Sequence, residues 1–219
     1  MTVHPRPDQR HIRPQDCYDI GDLVKSLANI EFNIEGNPFA TSDGSYPGFM
    51  QLVEETLPDQ CTLVPDSSEQ LTSDHGFDLR HSGASLEPII KRLRELGIRV
   101  SLFMDPIPEQ VKLAKEVGAD RIELYTGPYA EAYAACTQKG SDSDLDNLYE
   151  KYRVAAHTAI ELDLGVNAGH DLNRENLQLF RTLPGLQEVS IGHALTIDSL
   201  LMGMSEAVSS YLSLLRQDA

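Results

Sequence analysis

The sequence predicts a single α/β domain whose parallel strands curl into a barrel, and three observations carry that prediction. Short β-rich runs alternate with amphipathic helical stretches along the chain, a pattern that demands a parallel sheet with helical cover. No G-x-G-x-x-G follows the first run, which argues against an open dinucleotide-binding sheet. Polar residues mark the carboxyl end of nearly every run: His4, Arg6, Glu35, Asp66, Asp105, Glu123, Thr126, His170 and His193. A closed ring of strands gathers such ends on one rim. The expected class is a TIM-type (β/α)8 barrel in which seven strands are legible, with residues 1–219 as one domain.

The elements follow in order. Strand character appears in TVH (2–4), IEFNIE (30–35), CTLVP (61–65), RVSLFMD (99–105), RIELYTG (121–127), LGVNAGH (164–170) and EVSIGH (188–193), runs rich in β-branched and aromatic residues. Helical spacing appears in SLEPIIKRLRELG, where Leu86, Ile89, Ile90, Leu93 and Leu96 share one face and Gly97 closes the end. It recurs in PEQVKLAKEVG, DLDNLYEKYRVAAHTAIELDLG, NRENLQLFRTLPG and the final TIDSLLMGMSEAVSSYLSLL. Three stretches are read as loops: GNPFATSDGSYPG (36–48), PDSSEQLTSDHGFDLRHSG (65–83) and GPYAEAYAACTQKGSDSD (127–144). The second has Gly76 and Gly83 as possible hinges, so a closing lid and a plain connector are both open readings.

Composition narrows the function classes. A formal charge of -16 disfavours nucleic acid and anionic membranes as partners. No apolar run reaches the roughly 18 residues of a membrane span, and no basic and apolar leader opens the chain. Cys17, Cys61 and Cys136 are widely spaced and form no C-x-x-C pair, so a reduced cytoplasmic location is expected. No lysine ends a strand and no H-x-H or H-E-x-x-H motif is present, so neither an enzyme Schiff base nor a metal is required, and no cofactor is expected.

Against this acidic background the opening MTVHPRPDQRHIR concentrates three arginines and two histidines. His4 and Arg6 face the same way on an extended backbone, stiffened by Pro5 and Pro7. With Arg10, His11 and Arg13 they suggest a donor-rich concavity for phosphate, the alternative being a solvated loop of charges. Glu35 ends an apolar strand and Glu123 lies between Ile122 and Leu124. Such surroundings raise a carboxylate's affinity for protons and suit acid/base work, an arginine ion pair being the alternative. His170 in VNAGH and His193 in SIGH each follow a strand and a glycine. Gly169 and Gly192 would let an anion approach the backbone, and a last helix beginning near Thr196 would aim free N–H groups at it. A lone histidine is usually structural; two at matching strand ends argue for a site.

Taken together, TVHPRPDQRHI, NIEG, TLVPD, VSLFMD, IELYTG, VNAGHDLN and SIGHA, in this order, resemble the pyridoxine 5'-phosphate synthase family of vitamin B6 biosynthesis. The resemblance runs from residue 1 to about 215. It implies a cytosolic eight-stranded barrel that assembles as a homo-oligomer, an octamer in known members. It also implies condensation of 1-deoxy-D-xylulose 5-phosphate with 3-amino-2-oxopropyl phosphate to pyridoxine 5'-phosphate, phosphate and water, without metal or organic cofactor. By motif, His4 is similar to the family's general base, Glu35 to a second acid/base, His170 to the proton donor and Glu123 to a charge-stabilising carboxylate. Arg6, His11 and Thr72 match residues that hold the deoxyxylulose phosphate, and Gly192 and His193 match the amino-ketone phosphate site.

Three differences from the family stand out. Family members carry a further strand and helix before the point matched by residue 1, so the first βα unit lacks a counterpart. A late start codon, an expression fragment and a diverged chain are the readings of that difference, and little turnover is expected of these residues alone. Asp171 occupies a substrate-contacting position where the best-known members have glycine, and its carboxylate is expected to turn away from phosphate. GNPFATSDGSYPG exceeds the usual connector in length. Two other readings of the residues stay open: a different phosphosugar isomerase or epimerase using Glu35 and Glu123, and an inactive phosphometabolite-binding homologue.

Overall fold

The computed structural model describes residues 1–67, 70–139 and 143–216. Its strands are β1 (Thr2–Val3), β2 (Asn33–Gly36), β3 (Gln60–Leu63), β4 (Arg99–Met104), β5 (Arg121–Tyr125), β6 (Gly165–Gly169) and β7 (Leu186–Ser190). They form one parallel sheet in sequence order. Each strand is followed by a crossover that returns to the neighbouring position, which is the wiring the alternating pattern predicted.

The sheet curls. Gln60 on β3 donates through Nε2 to Glu188 on β7 at 3.3 Å, although three strands stand between them. Arg121 on β5 reaches the same carboxylate at 3.2 Å, and Asn167 donates to it at 3.3 Å. These contacts require the inner faces of distant strands to meet across a hollow. That inner layer is polar: Asn33 donates to Thr2 at 3.2 Å and to Thr62 at 3.1 Å, and Arg99 donates to Gln60 at 2.8 Å.

The alternate residues of the same strands face outward and are sealed. Ile34, Cys61, Leu63, Val100, Leu102, Met104, Ile122, Leu124, Val166 and Ala168 are fully buried. The apolar core therefore lies between the strands and their helices, and period-two alternation sorts chemistry inward from oil outward.

The covering helices are α1 (Pro14–Lys25), α2 (Phe49–Thr56), α3 (Leu79–Glu95), α4 (Pro108–Glu116), α5 (Gly127–Lys139), α6 (Ser143–Glu161), α7 (Leu177–Phe180), α8 (His193–Met202) and α9 (Met204–Arg216). Several differ from the sequence expectation. α3 starts at Leu79, capped by Asp78, so Gly83 lies inside a helix against Val117 and is no hinge. α5 occupies most of the stretch read as a loop; Tyr129 packs against Tyr149, Tyr152 and Phe180, with Tyr133 of the same helix beside it, an aromatic contact that a low-hydropathy Ala-rich segment does not announce. Residues 140–142 of that stretch lie outside the described residues. α7 spans one turn only, and the last helix begins at His193 rather than near Thr196. It breaks at Gly203, whose φ of 91° places it in a region open to glycine. α1 and α2 lie outside the helical stretches read from the sequence, although Phe49, Leu52, Val53 and Thr56 of α2 share one buried face at helical spacing; α1 is set by Pro14 in its first turn and by Asp16, whose carboxylate accepts from the Arg13 N–H at 2.7 Å.

Among the described residues no ladder joins β7 to β1, so each keeps one unpaired edge. The helices beside this seam are open: no residue of α8 is buried, Leu200 is 83% and Leu201 79% exposed, and Ile197 and Met204 are exposed with them. Leu23, Leu27 and Ile30 are exposed on the chain between β1 and β2.

Candidate functional site

The carboxyl ends of the strands converge on one mouth. His4 leaves β1 and Glu35 sits on β2, with His4 Nδ1 3.0 Å from Glu35 Oε1. Asp66, just beyond β3, accepts from Arg6 Nη2 at 2.7 Å and lies 3.9 Å from His4 Nε2. The imidazole thus stands between two carboxylates. His4, Arg6, Arg10, Asn37, Phe39, Tyr46 and Asp66 border a cavity of about 330 Å³.

On the far side, β6 ends in Gly169 and His170. His170 has a φ of 89° and Asp171 one of 56°, a strained pair of turns held by Thr126, whose hydroxyl donates to the Gly169 carbonyl at 2.7 Å and also to that of His170. Asp171 Oδ2 is 2.9 Å from His170 Nδ1, and Thr72 Oγ1 is 2.7 Å from His170 Nε2. A carboxylate accepting from Nδ1–H leaves Nε2 of the neutral ring as an acceptor for the Thr72 hydroxyl. His170 therefore donates from Nε2 only as the imidazolium, with Thr72 turned away. The Tyr125 ring meets that imidazole edge to face, with centroids 5.2 Å apart. Asp171 directs its carboxylate at the imidazole.

The two glutamates diverge. Burial pushes the Glu35 carboxyl up, but His4, Arg6 and His170 outweigh it and hold the group below its ordinary value. Glu123 is pushed well above its ordinary value, by burial first and then by the negative charges of Glu35 and Glu188, eased by hydrogen bonds from Ser190 and Thr62. The sequence expectation of raised proton affinity holds in direction for Glu123 and fails for Glu35, because its ion-pair partner is a histidine with an arginine beside it. The two acids of the site are thus shifted in opposite directions, Glu35 toward its ionised form and Glu123 toward its protonated form.

Gly169 also has a different reason from the one its sequence suggests. A Cβ there would collide with the Glu123 carboxylate. The missing side chain makes room for a buried acid, whereas Gly192 faces open space.

The remaining expected residues lie further out. Gly192 and His193 are exposed at the start of α8, past the end of β7. His11 is exposed on left-handed backbone with a φ of 68°. Nor is the basic opening a free cradle: Arg6 is paired with Asp66 and Arg10 with Asp8 at 3.3 Å. Sequence reasoning marked Asp66 only as a strand end and gave no role to Asn37, Ser73 or Tyr125. The first is legible in TLVPD; the others sit where loop and ring geometry decide, and no spacing rule finds them.

Comparison with known proteins agrees with this arrangement. A family model described as "Pyridoxal phosphate biosynthesis protein PdxJ" matches residues 1–217. A pyridoxine 5'-phosphate synthase of Xanthomonas axonopodis pv. citri is 48% identical over 217 residues, covering 99% of this chain and 82% of the relative. One from Xylella fastidiosa is 46% identical over 217 residues, covering 98% and 80%. A mutant tryptophan synthase alpha-subunit of Pyrococcus furiosus superposes with a TM-score of 0.57 at 14% identity, over 94% of this chain and 74% of that one. The BexX/CysO complex structure from Amycolatopsis orientalis gives 0.53 at 13% identity, over 98% and 79%. These two distant likenesses speak for the barrel architecture alone. Ordered motifs, curled parallel sheet and near-complete match agree: the chain belongs to the PdxJ family of pyridoxal phosphate biosynthesis proteins.

Proposed function

We propose that this protein is a pyridoxine 5'-phosphate synthase that condenses 1-deoxy-D-xylulose 5-phosphate with 3-amino-2-oxopropyl phosphate. The observation that carries the reading is the convergence of Glu35 and Glu123, their proton affinities shifted in opposite directions, inside one hollow flanked by His4 and His170, in a chain 48% identical to synthases of that name. Ring closure by imine formation, elimination and proton shifts needs groups that take protons and groups that give them at the same pH.

The division of labour follows from the geometry. His4, oriented through Nδ1 by ionised Glu35, presents Nε2 as the base that removes a proton from the bound ketose. His170 returns a proton from Nε2 once Thr72 rotates away. Protonated Glu123 serves as a hydrogen-bond donor toward developing negative charge below the substrate. The amine comes from the substrate, which fits a mouth without a strand-end lysine. Arg6, His11 and Thr72 bind the ketose phosphate; the N–H groups at Gly192 and His193, with the Asp171 turn, border the amino-ketone phosphate. The protein works in the cytoplasm as a homo-oligomer and needs no cofactor.

The test is to incubate the protein with both phosphorylated substrates and follow pyridoxine 5'-phosphate and inorganic phosphate by mass spectrometry. Product dependent on both substrates is expected from a version extended to the length of its relatives. Absence of product from the protein and from a version extended to the length of its relatives would overturn the proposal.

A further inference from the structure

Asp66 is 6% exposed and joins four segments of the mouth. Its Oδ2 accepts from Arg6 Nη2 at 2.7 Å and from Ser73 Oγ at 2.8 Å. Its backbone carbonyl accepts from Asn37 Nδ2 at 2.7 Å. Oδ2 also stands 3.9 Å from Nε2 of His4. One oxygen thus touches the exit of β1 and the segment 70–78, while the main chain holds the exit of β2.

The segment it grips is the one that crosses the mouth. Thr72 precedes Ser73 and meets His170 at the exit of β6. Beyond it, Gly76 lies so close to the end of β4 that a Cβ would strike the backbone of Met104 and Asp105, and the Phe77 N–H donates to the Phe103 carbonyl at 2.9 Å. The far end of the segment is therefore fixed by backbone packing, and the near end by the Ser73 hydroxyl on Asp66 together with Arg10, which donates to the Gln70 carbonyl.

The other carboxylate oxygen differs. Asp66 Oδ1 is buried and has no hydrogen-bond partner. A carboxylate retained for stability alone is expected to have both oxygens satisfied, since an orphaned buried acceptor is unfavourable. Such an outlier points toward function.

We propose that Asp66 is a positioning residue for the reaction: through Oδ2 it sets the direction of Arg6 and seats the segment 70–78, which carries Thr72 at the mouth beside His170, within reach of the ring at rest and free to turn from it when substrate binds. This rests on the function proposed above for the same mouth. Asp66 acts through Arg6 and through Thr72, and touches no reacting atom.

Two variants separate the arms. Asp66→Asn keeps the shape and removes the charge that Arg6 pairs with; Ser73→Ala removes only the hydroxyl. Asp66→Asn is expected to raise KM for the ketose phosphate by roughly 10- to 100-fold, the range for a lost charge-assisted hydrogen bond, with KM for the amino-ketone phosphate nearly unchanged. Ser73→Ala is expected to lower kcat by about two- to tenfold with little change in KM, and to speed hydrogen exchange of amides 71–75. In a double-mutant cycle, adding Asp66→Asn to Arg6→Gln should raise the ketose KM no further.

Wild-type KM for the ketose in Asp66→Asn, or additive effects with Arg6→Gln, would overturn the arginine arm. Unchanged exchange in both variants would overturn the loop arm. If Asp66→Asn does not fold, Ser73→Ala and the exchange measurement decide the proposal. If the wild-type protein makes no product, the function reading fails separately: calorimetric binding of the ketose phosphate to wild type and Asp66→Asn, with the exchange data, still reads out Asp66.

Discussion

The half of the ring built from β3 to β6 and the flank where β1 and β7 end obey the same alternation yet differ in burial. Leu63, Val100, Leu102, Ile122, Leu124 and Val166 are wholly enclosed. On the other flank every residue of β7 keeps some exposure and α8 buries none. A strand residue is sealed completely where a neighbouring strand lies on each side and a helix lies behind; Val3 on β1, with one neighbouring strand, keeps 7% exposure. The pattern in a sequence states which face an amino acid prefers; the neighbours decide whether that preference is satisfied.

That contrast can be broken or sharpened by four measurements. The largest effect is expected at Leu102→Ala, which opens a void in the sealed half and should cost about 2–5 kcal/mol in denaturant unfolding. A loss below about 1 kcal/mol would mean that the half is far looser than its burial implies. Gly169→Ala comes next: its methyl meets the Glu123 carboxylate, and an overpacked site loses about 1–3 kcal/mol. Product formation should fall with it, because the displaced group is the buried acid; a variant as stable and active as wild type would refute the tight fit.

The third measurement is pH dependence. Glu123 has a raised proton affinity when folded, so the folded state binds its proton more tightly than the unfolded chain. Its contribution to stability is present below the unfolded carboxyl value and is lost as pH rises toward the folded one, by at most about 1.4 kcal/mol per pH unit. Glu123→Gln should therefore gain on wild type as pH climbs above about 4.3, read from paired urea melts. A constant difference across pH would remove the inversion between the two acids. The smallest effect belongs to Leu200→Ser at the seam, expected within about 0.5 kcal/mol of wild type. Its readout is light scattering, which should show less self-association.

Much of this was legible in the sequence because it depends on local pattern. All seven strands lie within three residues of the runs read for them, and His4 and His170 stand just past strand ends, whereas Glu123 lies in the middle of β5. What was not legible depends on partners distant in the chain. The downward shift of Glu35 needs His4 and Arg6 beside it; the room at Gly169 exists because Glu123 fills it; α5 is held against the shell by Tyr129, which meets rings from α6 and α7. The start of α3 at Leu79 is set by the Asp78 cap, which also binds Gln110 Nε2 at 2.6 Å. Spacing alone carries no trace of that last contact.

The polar lining described for the hollow has one more consequence. Adhesion of the shell resides in the outward set, Ile34, Leu63, Leu102, Ile122 and Val166, while Asn33, Thr62, Glu123 and Asn167 face the hollow and bond to polar groups across it. A lineage can rewrite the inner set to suit another phosphorylated ligand and leave the scaffold standing, since the two alphabets occupy alternate letters of the same words.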